Sequence, residues 1–200
     1  MNFLAHALLA GEEPALIVGG VVGDWIKGTL PGVLPVDLAR GVALHRAIDV
    51  FAETHPAFCR SRTRVSASRR RYAGVLVDIF YDHLLARAWE AHHDRPLDDY
   101  CARVYAHIGG RLQDLPPAAR PALSMMAREG WLQSYTRIEG IADVLARMSL
   151  RARQPNPIAQ AEREFIADET GFADDFACWL PEAQAFVRNW LHRREAPDSA

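Results

Sequence analysis

The stretch that most constrains the fold is Val75–Trp89, VLVDIFYDHLLARAW, which contains neither glycine nor proline. At helical spacing Val75, Asp78, Asp82, Leu85 and Trp89 share one face, so two carboxylates interrupt a stripe otherwise suited to a core. Apolar residues cover the other sides, which is the pattern of a helix packed in the middle of a helical domain. Burying an unpaired carboxylate is costly even after relaxation. Two on one buried face need a cation, an arginine or shared protons, and a metal ion would also engage the adjoining His83. The alternative is a solvated Asp-rich face, against which the apolar surroundings argue.

The rest of the chain repeats the helical pattern. Asn2–Ala10 reads as a short first helix stopped by Gly11, and Pro14 suits the first turn of a second that ends near Lys27-Gly28. Gly19, Gly20 and Gly23 within it would let another backbone approach closely. They are no dinucleotide fingerprint, because GGVVGD lacks the GxGxxG spacing and no strand precedes it. Val36–Thr54 reads as a third helix, closed by His55-Pro56. The arginine-rich segment follows it, and the helix bearing Asp78 then runs to about His92. Leu97–Leu115, Arg120–Tyr135, Arg137–Arg151, Ile158–Glu169 and Pro181–Arg193 follow, with Gly171–Leu180 ambiguous. No period-2 strand, internal repeat or low-complexity tract is present. The expectation is one all-α domain over residues 1–195, of about eight or nine helices and larger than a four-helix bundle, with 196–200 as a frayed tail.

Charge narrows the partners. The 200 residues carry a formal charge of −2, yet Arg60, Arg62, Arg64, Arg69, Arg70 and Arg71 fall in a segment without a single acid. That segment is a local positive field on an otherwise acidic chain. Cys59, Cys101 and Cys178 are widely spaced and form no CxxC pair, which speaks against a disulfide framework or zinc knuckle and fits a reducing cytoplasm. The N-terminal stretch lacks a basic n-region, and His6, Glu12, Glu13 and Pro14 interrupt its apolar run, so it does not read as a secretion signal. No uninterrupted apolar stretch reaches the roughly 18 residues of a membrane span.

Chemistry candidates cluster in the first half. Asp24 closes an almost wholly apolar run, where the plain alternative is a helix-end carboxylate reaching water. His45 and Asp49 lie at i, i+4 beside Leu44, Ile48 and Phe51; alone they could be a hydrogen-bonded pair that only stabilises a helix. Arg46 adjoins them, with a plain surface charge as its alternative, and His6 is a lone histidine on an apolar helix, more often a core residue than a ligand. Together, four segments place an imidazole or carboxylate in apolar context, and a helical bundle lets such groups converge. Carboxylate plus imidazole without thiolate suits Mn²⁺, Mg²⁺ or Fe²⁺ better than structural zinc. No G-x-S-x-G or HExxH is present, and no serine or cysteine stands in a nucleophile's context.

These residues carry a resemblance. The opening NFLAH, the following GxxxGDWIKG, HRAID and DIFYDH resemble the acyl carrier protein phosphodiesterases. Trp131-Leu132-x-x-Tyr135 and the later run from Ile141 to Arg151 fit the same family, in order, from Asn2 to about Arg194. That family is distantly similar to the all-α, metal-dependent HD phosphohydrolases, although the adjacent pair here reads Asp82-His83, the reverse of the HD order.

The resemblance implies hydrolysis of holo-acyl carrier protein to the apo form and 4′-phosphopantetheine. The bond cut is the phosphodiester to a carrier serine. It implies a divalent ion, Mn²⁺ first and Mg²⁺ or Fe²⁺ otherwise, held by Asp24, His45, Asp78, Asp82 and His83. His6 and Asp49 then orient ligands or relay protons, and Arg46 faces the phosphate. The leaving serine alkoxide is very basic and needs an acid, for which a histidine is the usual candidate. A carrier protein is small and strongly acidic, so Arg60–Arg71 gains a reading as its docking surface; nucleic acid is the competitor, disfavoured by the net acidic chain and by the absence of aromatics before Tyr72. Two other readings stand beside this one. One is a metal phosphohydrolase acting on nucleotides or cyclic dinucleotides; the other is a non-catalytic helical module that binds an acidic protein or RNA through the arginines.

Overall fold

Proline and glycine mark many of the helix boundaries in this chain. The computed structural model describes residues 3–151 and 154–195, among which there are eleven α-helices and no strand. Asn2 of the first expected helix and the expected tail at 196–200 lie outside the described residues. The first two helices are α1 (Phe3–Leu9) and α2 (Pro14–Val22), the latter opened by its proline and continued by a 3-10 turn, Gly23–Trp25. The long α3 (Val36–Thr54) lies between Pro35 and His55-Pro56, as its punctuation predicts. Pro56 opens α4 (Pro56–Arg64), where the His55 ring accepts the Ala57 amide proton at 3.2 Å. A 3-10 turn at Ala67–Tyr72 leads into α5 (Ala73–Arg87).

The second half is α6 (Leu97–Arg111), α7 (Arg120–Glu129), α8 (Trp131–Ser134), α9 (Ile138–Arg151), α10 (Glu162–Ala167) and α11 (Glu169–Glu195). Three expectations change here. The helix expected over Arg120–Tyr135 is divided at Gly130, whose φ of 62° takes the left-handed conformation that ends α7. The helix expected from Ile158 starts only at Glu162. The ambiguous Gly171–Leu180 belongs to the 27-residue α11, which continues through Pro181 rather than beginning there.

The expected central position of the Val75–Trp89 stretch is observed: α5 buries Leu76, Val77, Ile79, Phe80, Tyr81 and Leu85 against α1, α4, α9 and α11. Each such side chain contributes roughly 1.5–3 kcal/mol when fully withdrawn from water. Two glycine contacts decide how α2 and α3 meet. A Cβ on Gly19 would lie 2.5 Å from Gly41 Cα, so the two helices cross at a distance only glycine allows.

A polar seam joins α4 to α11. Asp175, only 2 % exposed, accepts hydrogen bonds from Arg60 Nε at 2.8 Å, Arg64 Nε at 2.9 Å and Ser61 Oγ at 3.1 Å. Arg64 also reaches Asp168 at 2.6 Å. Further along, Arg69 donates to Glu164 at 2.8 Å and to the Pro157 carbonyl at 2.7 Å, while Ser66 Oγ donates to Glu164 at 2.6 Å.

A carboxylate–imidazole cluster at the floor of a cleft

Four elements converge on one point. Buried His6 comes from α1, His45 and Asp49 from α3, Asp24 from the 3-10 turn after α2, and Asp78 from α5. Asp49 is the centre: its Oδ1 lies 3.1 Å from His6 Nε2 and its Oδ2 lies 3.2 Å from His45 Nε2. The two imidazoles stack with centroids 4.0 Å apart, and Asp24 Oδ1 stands 3.8 Å from His45 Nε2. His6, His45 and Asp49 each present a ligand atom, all within 4.8 Å of one another, so these three can hold a metal ion.

Local structure fixes the orientation of each ring. His45 Nδ1 donates to the Gly20 carbonyl at 2.8 Å, which assigns its proton to Nδ1 and turns Nε2 toward the carboxylates. A Cβ on Gly23 would sit 2.3 Å from that ring, so glycine immediately before Asp24 is what lets the imidazole lie there. A neutral Nε2 would point its lone pair at Asp49, an arrangement that needs a proton or a cation between the two groups. Burial lowers the His45 pKa, but the Asp24 and Asp49 carboxylates outweigh it and raise it to about 9. Burial and the neighbouring His45 lower the pKa of His6. Burial works against ionisation of Asp49, yet His45 and His6 hold its carboxyl far below the ordinary range. His6 Nδ1 is buried without a hydrogen-bond partner.

The cluster opens on a cleft of about 320 Å³ lined by Asp24, Asp49, Phe58, Arg62, Arg71, Tyr72 and Asp78. On the other side of Asp24 and Asp49 a second depression, about 350 Å³, includes Lys27, His45 and Arg46. Arg46 donates to the carbonyls of Ile26 at 3.0 Å and Gly28 at 2.9 Å, so it holds the segment that follows Asp24.

Asp82 and His83 are placed elsewhere. Asp82, with no exposure, accepts the amide protons of Leu4 at 3.1 Å and Ala5 at 2.8 Å, capping the start of α1 from 77–78 residues away. Its pKa is raised to about 8 by burial, which the two amides only partly offset. His83 is turned off the Asp78 face by the helical rotation between them. It donates from Nδ1 to the Tyr135 carbonyl at 2.6 Å and lines a separate cavity with Arg87, Thr136, Phe165 and Glu169.

The arginine segment divides in the same way. Arg60, Arg64 and Arg69 are engaged in the seam, and exposed Arg70 reaches the Arg62 carbonyl at 3.3 Å. Arg62 and Arg71 line the cleft. Asp49, expected to orient ligands or relay protons, touches both imidazoles. Phe58 and Tyr72 in the cleft wall were not among the expected site residues; the only hint in the sequence was that Tyr72 ends the arginine run.

Fold and cluster together define an all-α protein with a carboxylate–imidazole centre opening on a cleft. Over residues 1–183 the chain matches the family model described as acyl carrier protein phosphodiesterase, and it belongs to that family. It is 32% identical to the acyl carrier protein phosphodiesterase of Salmonella dublin over 186 residues, 92% of this chain and 96% of that protein. The enzyme of the same description from Yersinia pestis is 32% identical over 152 residues, 76% of this chain and 79% of that protein. That of Photorhabdus laumondii is 32% identical over 156 residues, covering 76% and 77% respectively. No solved structure matches the chain at a significant level. Among the described residues, no helix is long and apolar enough to cross a membrane.

Proposed function

We propose that this chain is a metal-dependent phosphodiesterase that hydrolyses holo-acyl carrier protein to the apo protein and 4′-phosphopantetheine. Family membership supports the substrate. The observation that carries the chemistry is the convergence of His6, His45 and Asp49, with Asp24 beside them, where Asp24 and Asp49 line a cleft. The donor set fits a divalent ion: two imidazole nitrogens face one carboxylate, and the His45 Nδ1–H is already committed to a carbonyl, the support typical of a ligating histidine. We assign His6, His45 and Asp49 as the holding residues, with Asp24 and Asp78 contributing from the cleft. Nitrogen and carboxylate donors without thiolate favour Mn²⁺, with Mg²⁺ or Fe²⁺ as alternatives. When bound, such an ion lowers the pKa of water and neutralises charge on a phosphoryl group.

The chain's own residues supply orientation. Gly20 fixes the His45 ring, and Arg46 braces the Ile26–Gly28 segment so that Asp24 keeps its place. The acidic carrier approaches the cleft mouth, where Arg70 and the neighbouring guanidinium groups attract it. The three cysteines are free, which supports a reducing, cytoplasmic setting. The test is mass spectrometry of holo-carrier protein incubated with metal-loaded enzyme. Loss of the 4′-phosphopantetheine mass, abolished by chelation and restored by Mn²⁺, is the expected result; an intact holo-carrier sinks the reading.

A further inference from the structure

Four of the six arginines between residues 60 and 71 have side-chain hydrogen bonds within the chain: Arg60, Arg64, Arg69 and Arg70. The side chains of Arg62 and Arg71 have none among the described residues, and both line the cleft whose floor carries Asp24, Asp49 and Asp78. Arg62 is half-buried and Arg71 is exposed at the rim. They are the only two cationic side chains in that lining among the described residues, where Glu53 adds a further carboxylate. Arg46, the arginine nearest the cluster in sequence, is already engaged with the Ile26 and Gly28 carbonyls.

From this division we infer that Arg62 and Arg71 are the residues that grip the substrate's phosphodiester, a role distinct from steering the carrier protein. The inference rests on the phosphodiesterase reading above. A phosphodiester is an anion, and it must enter a cleft rich in carboxylates. Guanidinium groups at the rim offset that field and match two phosphoryl oxygens with paired N–H donors. Their lack of intramolecular partners leaves those donors available. The apolar wall of Phe58 and Val75 beside them reduces competition from water and strengthens a charge-assisted hydrogen bond. The arrangement therefore separates two tasks that lie close together in sequence. Arg62 and Arg71 hold the phosphate, while Arg70, outside the lining, contributes only to the field that the carrier meets.

The test uses metal-loaded full-length enzyme and two probes: holo-carrier protein, and 4′-phosphopantetheine alone as a phosphate ligand without the protein portion. Arg62→Ala and Arg71→Ala should each weaken binding of 4′-phosphopantetheine on the order of tenfold or more, the loss of a charge-assisted hydrogen bond. Their melting temperatures should stay at the wild-type value, since no intramolecular bond is removed. Arg62→Lys should recover part of the affinity, because charge is restored without the fork. Arg70→Ala should raise KM for the holo-carrier and flatten its salt dependence, with 4′-phosphopantetheine affinity unchanged. Unchanged affinity for 4′-phosphopantetheine in both Arg62→Ala and Arg71→Ala overturns the inference. A raised KM beside it assigns them to the carrier surface, and unchanged KM leaves them with no role in substrate binding. If affinity and melting temperature fall together, Arg62→Lys decides: a wild-type melting temperature with affinity partly recovered supports the grip, and full recovery of both, or of neither, overturns it. Wild-type enzyme that leaves holo-carrier intact removes the phosphodiesterase reading itself, and this inference with it.

Discussion

The α4–α11 seam and the cleft floor each set charged groups around a buried centre, Asp175 in the one and His6 with His45 in the other, but their internal bonding differs. In the seam every charge has a partner of opposite sign: Asp175 receives two guanidinium groups and a hydroxyl, and Glu164 receives Arg69 and Ser66. At the cleft two imidazoles share one carboxylate, His6 Nδ1 has no partner, and the side chains of Arg62 and Arg71 form no hydrogen bond among the described residues. Buried polarity in this molecule therefore has two meanings. In the seam it is satisfied within the chain and fastens helices together, and at the cluster His6 Nδ1 is left without a partner. Asp78 and Asp82, one helical turn apart, have different places in this arrangement, since one lines the cleft and the other caps α1.

The comparison breaks most decisively at Asp49. Asp49→Ala should lower kcat on the order of 10³-fold or more, since it removes the group that faces both imidazoles and with it the stoichiometric ion. Circular dichroism should be unchanged, and elemental analysis should show loss of metal. A variant that keeps its ion and its turnover would mean the cluster is only a structural hydrogen-bond network. Asp175→Ala should do the reverse. Leaving Arg60 and Arg64 without their shared carboxylate should cost about 3–5 kcal/mol in urea denaturation. The kcat of the folded fraction should be unaltered.

Asp82 comes next in size. Asp82→Ala uncaps two buried amides of α1 and should destabilise the protein by about 1–3 kcal/mol. The metal content should remain that of the wild type, because the Asp82 oxygens face amides rather than the cluster. If metal is lost while stability holds, Asp82 belongs with Asp78 after all. The sequence placed these two carboxylates on one face and could not separate them, because the partners of Asp82 lie 77–78 residues earlier in the chain.

That limit is general in this chain. The ends of α3 were legible because Pro35 and His55-Pro56 bracket it, and His45 and Asp49 were legible because i, i+4 spacing makes them neighbours. Pro181 misled for a physical reason: proline opens helices more often than it sits inside them, yet here α11 runs through it. The division of the arginines could not be read at all. Their acidic partners, Glu164, Asp168 and Asp175, follow them by about a hundred residues and only folding brings the two sets together. Arg60, Arg64 and Arg69 are drawn into the seam only when the segment from Glu164 to Asp175 returns against them.

The smallest expected effect lies at the weak end of the seam. Burial alone would raise the Glu164 pKa, but the Ser66 hydroxyl and amide and the Arg69 guanidinium prevail and hold it below its ordinary value. A carboxylate with a folded-state pKa below its unfolded one contributes stability above the unfolded value, near pH 4.5, and loses it as pH falls through the folded one. Glu164→Gln should therefore cost about 1 kcal/mol at neutral pH. It should also flatten the acid limb of a stability–pH curve, since the group that titrates there is gone. Turnover at neutral pH should not move, because neither Glu164 nor its partners Ser66 and Arg69 line the cleft. A fall in kcat in this variant, with the acid limb unchanged, would show that the 3-10 turn at Ala67–Tyr72 transmits seam strain to Arg71, and that seam and cleft are one unit rather than two.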